Sequence, residues 1–133
     1  LVFDRQTKEP LARAQQPYIG QLTRMAQLAV EAGAGMVFFD NVMRTIWNGK
    51  IENWDKGDHL KSAITAAGLD FRELTYRAGL EEDRLDTIID SNGADLSNAG
   101  HWGVPCMIFQ SEPFFGQDRI ELLRWRLEQV RSI

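Results

Sequence analysis

The stretch GHWGVPCMIFQSEPFFGQD, residues 100–118, limits the possible folds of this chain more than any other. Pro105 leads an apolar run ending at Phe109, the polar Gln-Ser-Glu-Pro follows, and Phe114 and Phe115 resume the apolar character. That order reads as a β-hairpin turning at Gln-Ser-Glu-Pro. Proline has no N–H for a strand ladder, so Pro105 belongs at a strand start or on an edge. A two-stranded hairpin is marginal by itself in water and needs a third strand or a packing partner. The hairpin must therefore be built into something larger, and the rest of the chain reads as helix.

A long helical stretch is expected over residues 12–32, with Leu22, Met25, Ala26 and Ala29 on its apolar stripe. Pro17 limits how early that helix becomes regular. The two glycines of EAGAG favour a stop. A second helix, roughly residues 36–48, carries a dense face of Phe39, Val42, Met43 and Ile46, with Phe38 and Trp47 beside it. A polar connector anchored by Trp54 leads to a third helix over residues 55–67, stopped by Gly68. Asp70 is placed to cap a short fourth helix. A fifth begins at Leu-Glu-Glu-Asp, with acids in the first turn as the helix dipole favours. From Gln117 a last helix sets Ile120, Leu123, Leu127 and Val130 on one stripe, with most of its charges outside it. These readings divide the chain into a mainly helical region, 1–99, and a hairpin plus terminal helix, 100–133.

At 133 residues the chain is long enough for one domain with a real core. Its net charge is −4, which argues against a general nucleic-acid surface, since that needs a basic field to release counterions. No apolar run approaches bilayer-spanning length, so no membrane partner is expected. The opening LVFDRQTKEP lacks the charged and apolar regions of a signal peptide. With one cysteine, Cys106, there is no internal disulfide framework, and a reducing, cytoplasmic setting is the expectation.

Few residues carry chemistry on their own. The bond before Pro105 is either trans, starting an edge strand, or cis, turning the Val104 backbone outward to pair with an extended ligand. Frequency favours trans, because about 5–6% of X-Pro bonds in folded proteins are cis. Asp118 lies in the first turn of the last helix, where a carboxylate is stabilised by unpaired N–H groups whatever its function. The same position would let it bind an ammonium group. Cys106 sits in an apolar run, has no neighbouring His or Lys to activate it, and is expected to be a largely buried strand residue without a catalytic role. His59 and His101 lack partners at metal-ligand spacing, so no metal is expected. GAGMVFF holds only part of a dinucleotide fingerprint and follows a helix rather than a strand.

Together, Gly103-Val104-Pro105 and Phe115-Gly116-Gln117-Asp118-Arg119 resemble the C-terminal end of the 2-hydroxychromene-2-carboxylate isomerase and kappa-class glutathione transferase family. The stretch FFDNVMRTIWNGKIENWDKGDHLKSAITAAGLD is similar to the helical insertion of the same family, and the likeness covers roughly residues 22–127. It implies an α/β, DsbA-like thioredoxin fold, mostly helical in this chain, with a C-terminal β-hairpin and terminal helix. It also implies that glutathione is the cofactor. Pro105 would be cis and Val104 would pair through its backbone with the cysteinyl part. Asp118 would bind the γ-glutamyl ammonium, and Gln117 or the backbone beside it would meet the γ-glutamyl carboxylate. Phe39 and Trp47 are expected in a wall around a small aromatic substrate. Cys106 stands where the family usually has Thr.

The resemblance further implies a β-α-β unit ahead of the helices, carrying the serine that activates the thiol. The residues before the helices are too few for that unit, so no catalytic residue is expected within the chain. The function implied is a glutathione-dependent isomerase or transferase whose thiol adds reversibly to an unsaturated aromatic-pathway substrate. The alternatives are a DsbA-like disulfide oxidoreductase with its Cys-x-x-Cys elsewhere, and a non-catalytic assembly module. A homodimer, or pairing through a strand edge, is expected for an incomplete sheet.

Overall fold

The computed structural model describes residues 18–51, 53–101 and 103–131. Among the described residues the elements in chain order are α1 (Ile19–Glu31), α2 (Gly35–Trp47), α3 (His59–Ala66), α4 (Phe71–Leu80), α5 (Glu82–Asn98), β1 (Cys106–Phe109), β2 (Glu112–Phe115), a 3-10 turn (Gln117–Arg119) and α6 (Ile120–Arg131). They form two compact units, Leu1–Ile89 and Asp90–Ile133. The division falls inside α5, earlier than the 99/100 change of character read from the sequence. The helical turns expected over residues 12–17 lie outside the described residues.

In the helical unit α1 packs on α2 and α4, and α3 packs on α2 and α4. The core is Leu22, Met25, Leu28 and Ala29 of α1, Phe38 and Val42 of α2, Ala63 and Ile64 of α3, Leu74 and Ala78 of α4, and Leu85 of α5. The helix stops are local. At the end of α1 the N–H of Gly33 donates to the carbonyl of Val30 (2.9 Å) and that of Ala34 to Ala29 (2.8 Å). This pair of bonds needs the left-handed backbone of Gly33, φ 73°. The same two bonds recur after α3, from Gly68 to Thr65 (2.9 Å) and from Leu69 to Ile64 (3.3 Å), and they fold Leu69 back onto the core. Asp70 caps α4 by accepting from the N–H groups of Arg72 (2.8 Å) and Glu73 (2.9 Å).

Two faces differ from the sequence reading. In α2 the inward residues are Phe38 and Val42, while Phe39 is 56% exposed. One residue is about 100° of helix, so Phe38 and Val42, four apart, share a line that Phe39 leaves. In α6 no residue is buried, so the stripe of Ile120, Leu123, Leu127 and Val130 is not a core face. The third helix also begins at His59 rather than Asp55, after the bends and turns around Trp54.

Charged side chains tie helix ends together. Arg24 grips Asp86 with both ends of its guanidinium (2.7 Å each) and also reaches Glu82 (2.8 Å), joining α1 to α5. Arg84 forks onto Glu31 (2.9 and 3.1 Å) and bonds Glu81, which also takes Arg77 (2.7 Å). Hydrogen bonding from Arg84, then Gln27, holds Glu31 below its ordinary pKa. Arg77, then Arg84, does the same for Glu81, and Arg24 for Asp86.

Candidate functional site

Strand register sets the geometry of the hairpin unit. β1 and β2 are antiparallel, pairing Cys106 with Phe115, Met107 with Phe114, Ile108 with Pro113 and Phe109 with Glu112. The turn is tighter than Gln-Ser-Glu-Pro: only Gln110 and Ser111 lie between the strands, both with positive φ (51° and 65°). A two-residue turn of this hand matches the right-handed twist of the strands, which explains why Glu112 and Pro113 join β2.

One bond beyond the last pair sets the phase of the ladder. The N–H of Gly116 donates to the carbonyl of Pro105 at 2.9 Å. Hydrogen-bonded and non-hydrogen-bonded pairs alternate in an antiparallel ladder. With 105/116 bonded, 107/114 and 109/112 are bonded positions, while 106/115 and 108/113 are not. Pro113 therefore falls where its missing N–H would point away from β1, so β2 holds a proline without losing a ladder bond.

The Pro105–Gly116 bond also joins the two segments singled out in the sequence. The Val104–Pro105 peptide bond is cis. Val104 is 79% exposed, and Pro105 is exposed too. Across the bond, Gly116 has φ 95° and ψ 156°, a conformation open to glycine alone. It hands the chain to the 3-10 turn that holds Gln117 and Asp118 and runs directly into α6. Gln117 and Asp118 are exposed. The Asp118 carboxylate lies 3.5 Å from Arg119, in the first turn of the 3-10 segment. The last helix thus starts one tight turn later than expected, with the acid on that turn.

A further contact holds the loop from behind. The N–H of Gly103 donates to Nδ1 of His101 at 2.8 Å. The His101 ring stacks on Phe115, with centroids 3.9 Å apart and planes 19° from parallel. Sequence reasoning weighed His101 only as a metal ligand and missed this role. A side-chain acceptor two residues before a backbone N–H is a local turn pattern, the one signal that could have found it. Cys106 lies in β1 and is partly exposed rather than largely buried.

Phe39 and Trp47 belong to the helical unit. Both line an apolar pocket of about 360 Å³ on α1 and α2, together with Ile19, Met43, Ile46 and Trp54. Its lining is almost wholly hydrocarbon and aromatic, suited to a flat apolar group rather than a charged one. Among the described residues no group of three His, Cys, Asp or Glu side chains could hold a metal ion, and no helix is long and apolar enough to cross a membrane.

Comparison with known proteins places these elements in a wider pattern. The model of the DSBA-like thioredoxin domain matches residues 8–128. No curated protein and no solved structure gives a significant match.

Proposed function

Because the chain belongs to the DSBA-like thioredoxin domain family, we propose that it handles thiol compounds through glutathione, as an isomerase of the 2-hydroxychromene-2-carboxylate type or a close glutathione transferase relative. The observation that carries this reading is the Gly116–Pro105 bond, which brings the exposed Val104 backbone and the exposed Asp118 carboxylate to the same end of the hairpin. These residues fit a γ-glutamyl-cysteinyl ligand. The Val104 backbone offers peptide hydrogen bonds to the cysteinyl part. Asp118 offers an anion for the γ-glutamyl ammonium, and Gln117 with the nearby N–H groups offers donors for its carboxylate. Glutathione, when bound, supplies a thiolate nucleophile for an unsaturated substrate. The chain's own part is to hold and orient, which lowers the entropic share of the barrier. Within the helical unit by itself, the apolar pocket with Phe39 and Trp47 has a lining of the kind a flat aromatic group would take.

Calorimetric titration with glutathione tests this reading. A charge-assisted hydrogen bond contributes roughly 1.5–3 kcal/mol, so Asp118→Asn is expected to weaken binding about ten- to a hundredfold. The loss shrinks for a thiol lacking the α-ammonium. Equal affinities for wild type and Asp118→Asn, or no binding by the wild type, would overturn the reading.

The family match also supports a second reading, a disulfide oxidoreductase of the DsbA kind that receives extended cysteine peptides on the Val104 backbone. There Asp118→Asn leaves affinity unchanged, and a cysteine peptide without a γ-glutamyl group binds as tightly as glutathione.

A further inference from the structure

We propose that His101 is a positioning residue: its imidazole holds the Gly103-Val104-Pro105 backbone at a set distance from the end of β2, and so presents the Val104 peptide groups to the ligand. This rests on the glutathione reading above.

Val104 is held from both sides while remaining exposed. Behind it, the Gly103 N–H is bonded to His101 Nδ1 at 2.8 Å. A nitrogen that accepts from an N–H carries a lone pair, so a neutral His101 keeps its proton on Nε2. Ahead of it, the Pro105 carbonyl accepts from Gly116. The His101 ring closes the remaining side by stacking on Phe115, the residue before Gly116.

Gly103 is buried against the edges of the two rings. A Cβ there would lie 2.6 Å from Phe115 Cε2 and 3.0 Å from His101 Cε1, so only glycine allows this approach. The stack and the hydrogen bond thus act on one backbone unit from two directions. A ligand that binds through backbone groups gains affinity when those groups are fixed beforehand, because less ordering is left for the binding step. His101 needs no contact with the ligand for this.

Two substitutions separate the parts of the contact. His101→Asn keeps a short acceptor near the place of Nδ1 and gives up the ring. His101→Phe keeps the ring and gives up the acceptor. Glutathione titration and amide NMR are measured on both and on the wild type. His101→Asn is expected to bind glutathione within about threefold of wild type and to keep the Gly103 amide slow to exchange, its shift moving only by the lost ring current, with the Val104 amide near its wild-type shift. His101→Phe is expected to bind at least tenfold more weakly and to move those shifts, with the Met107 and Phe114 amides of the hairpin unmoved. A His101→Phe protein that binds like wild type, with Gly103 unmoved, overturns the proposal.

If wild type binds no glutathione, the ligand reading fails separately. The positioning role is then decided by whether the Val104 amide moves in His101→Phe and is restored in His101→Asn. If His101→Phe does not fold, the wild-type imidazole ¹⁵N shifts decide. A lone pair on Nδ1 supports the proposal, and a proton there in the neutral ring overturns it.

Discussion

Eleven hydrophobic side chains are buried in the helical unit, whereas Phe114 is the one buried in the hairpin unit among the described residues. Full burial of a large aliphatic or aromatic side chain is worth roughly 1.5–3 kcal/mol. The helical unit therefore carries most of the hydrophobic stabilisation. Among the described residues the hairpin unit relies more on backbone bonds, a tight turn, the His101–Phe115 stack and the Arg126–Glu112 bond between α6 and β2. What it presents is exposed: Val104, Pro105, Gln117 and Asp118. The difference teaches that the helices hold the stability and the hairpin holds the backbone and charge that can meet a ligand, as stable scaffolds with less protected functional loops commonly do.

The largest expected effect sharpens the comparison from the helical side. Ile64 and Leu85 are fully buried, and Ile64→Ala should cost about 2–5 kcal/mol through lost transfer energy and a residual cavity. Trp125→Ala, on the exposed face of α6, should stay within about 0.5 kcal/mol. Denaturant melts of the two variants check this, and the comparison breaks if Trp125→Ala is the costlier.

A smaller effect belongs to the hairpin side. Gly116→Ala forces a side chain into a conformation open to glycine and sets a Cβ 2.5 Å from Asp118 Oδ1. The expected cost is about 1–3 kcal/mol. Hydrogen exchange should show faster opening at Phe114 and Gly116, with α1 to α4 retaining their protection. Equal loss in both units would mean that they do not unfold separately.

Next comes a gain. Ser111 holds φ 65° in the two-residue turn, and glycine relieves that conformation. Ser111→Gly is expected to stabilise the hairpin by a few tenths to about 1 kcal/mol, read from slower hairpin exchange. A faster-exchanging hairpin would show that another contact of Ser111 outweighs the turn.

The smallest expected effect is acid sensitivity of the helical unit. Glu31, Glu81 and Asp86 are held below their ordinary values of 4.5, 4.5 and 3.8 by their arginine partners. Their contribution is complete above those ordinary values. It drains as pH falls through the lower, folded-state values, because the unfolded chain then binds more protons. A helical-unit melting temperature that declines gradually below about pH 4.5 is the expected result, and Arg84→Gln should flatten the decline. An unchanged slope would remove the Glu31–Arg84–Glu81 network from the account.

Several features that depend on a few neighbouring residues were legible in the sequence. Gly33 and Gly68 stop helices through bonds that close within six residues, and Asp70 caps within three. The hairpin follows from an apolar-polar-apolar run, and the DsbA-like thioredoxin fold implied by Gly-Val-Pro with Gly-Gln-Asp-Arg agrees with the family match over residues 8–128. Only the tertiary structure decided which sides of the elements are used. Phe38 rather than Phe39 faces the core because α1 and α3 approach α2 from one direction, and periodicity is blind to that direction. The stripe of α6 has the same period as a core face, yet none of its residues is buried. His101 meets Phe115 across fourteen residues of chain, a contact brought about by strand pairing and open to no local pattern. A helix stop or cap is a short-range bond and is written in its own neighbours, whereas a face or a stack depends on what the rest of the chain brings alongside it.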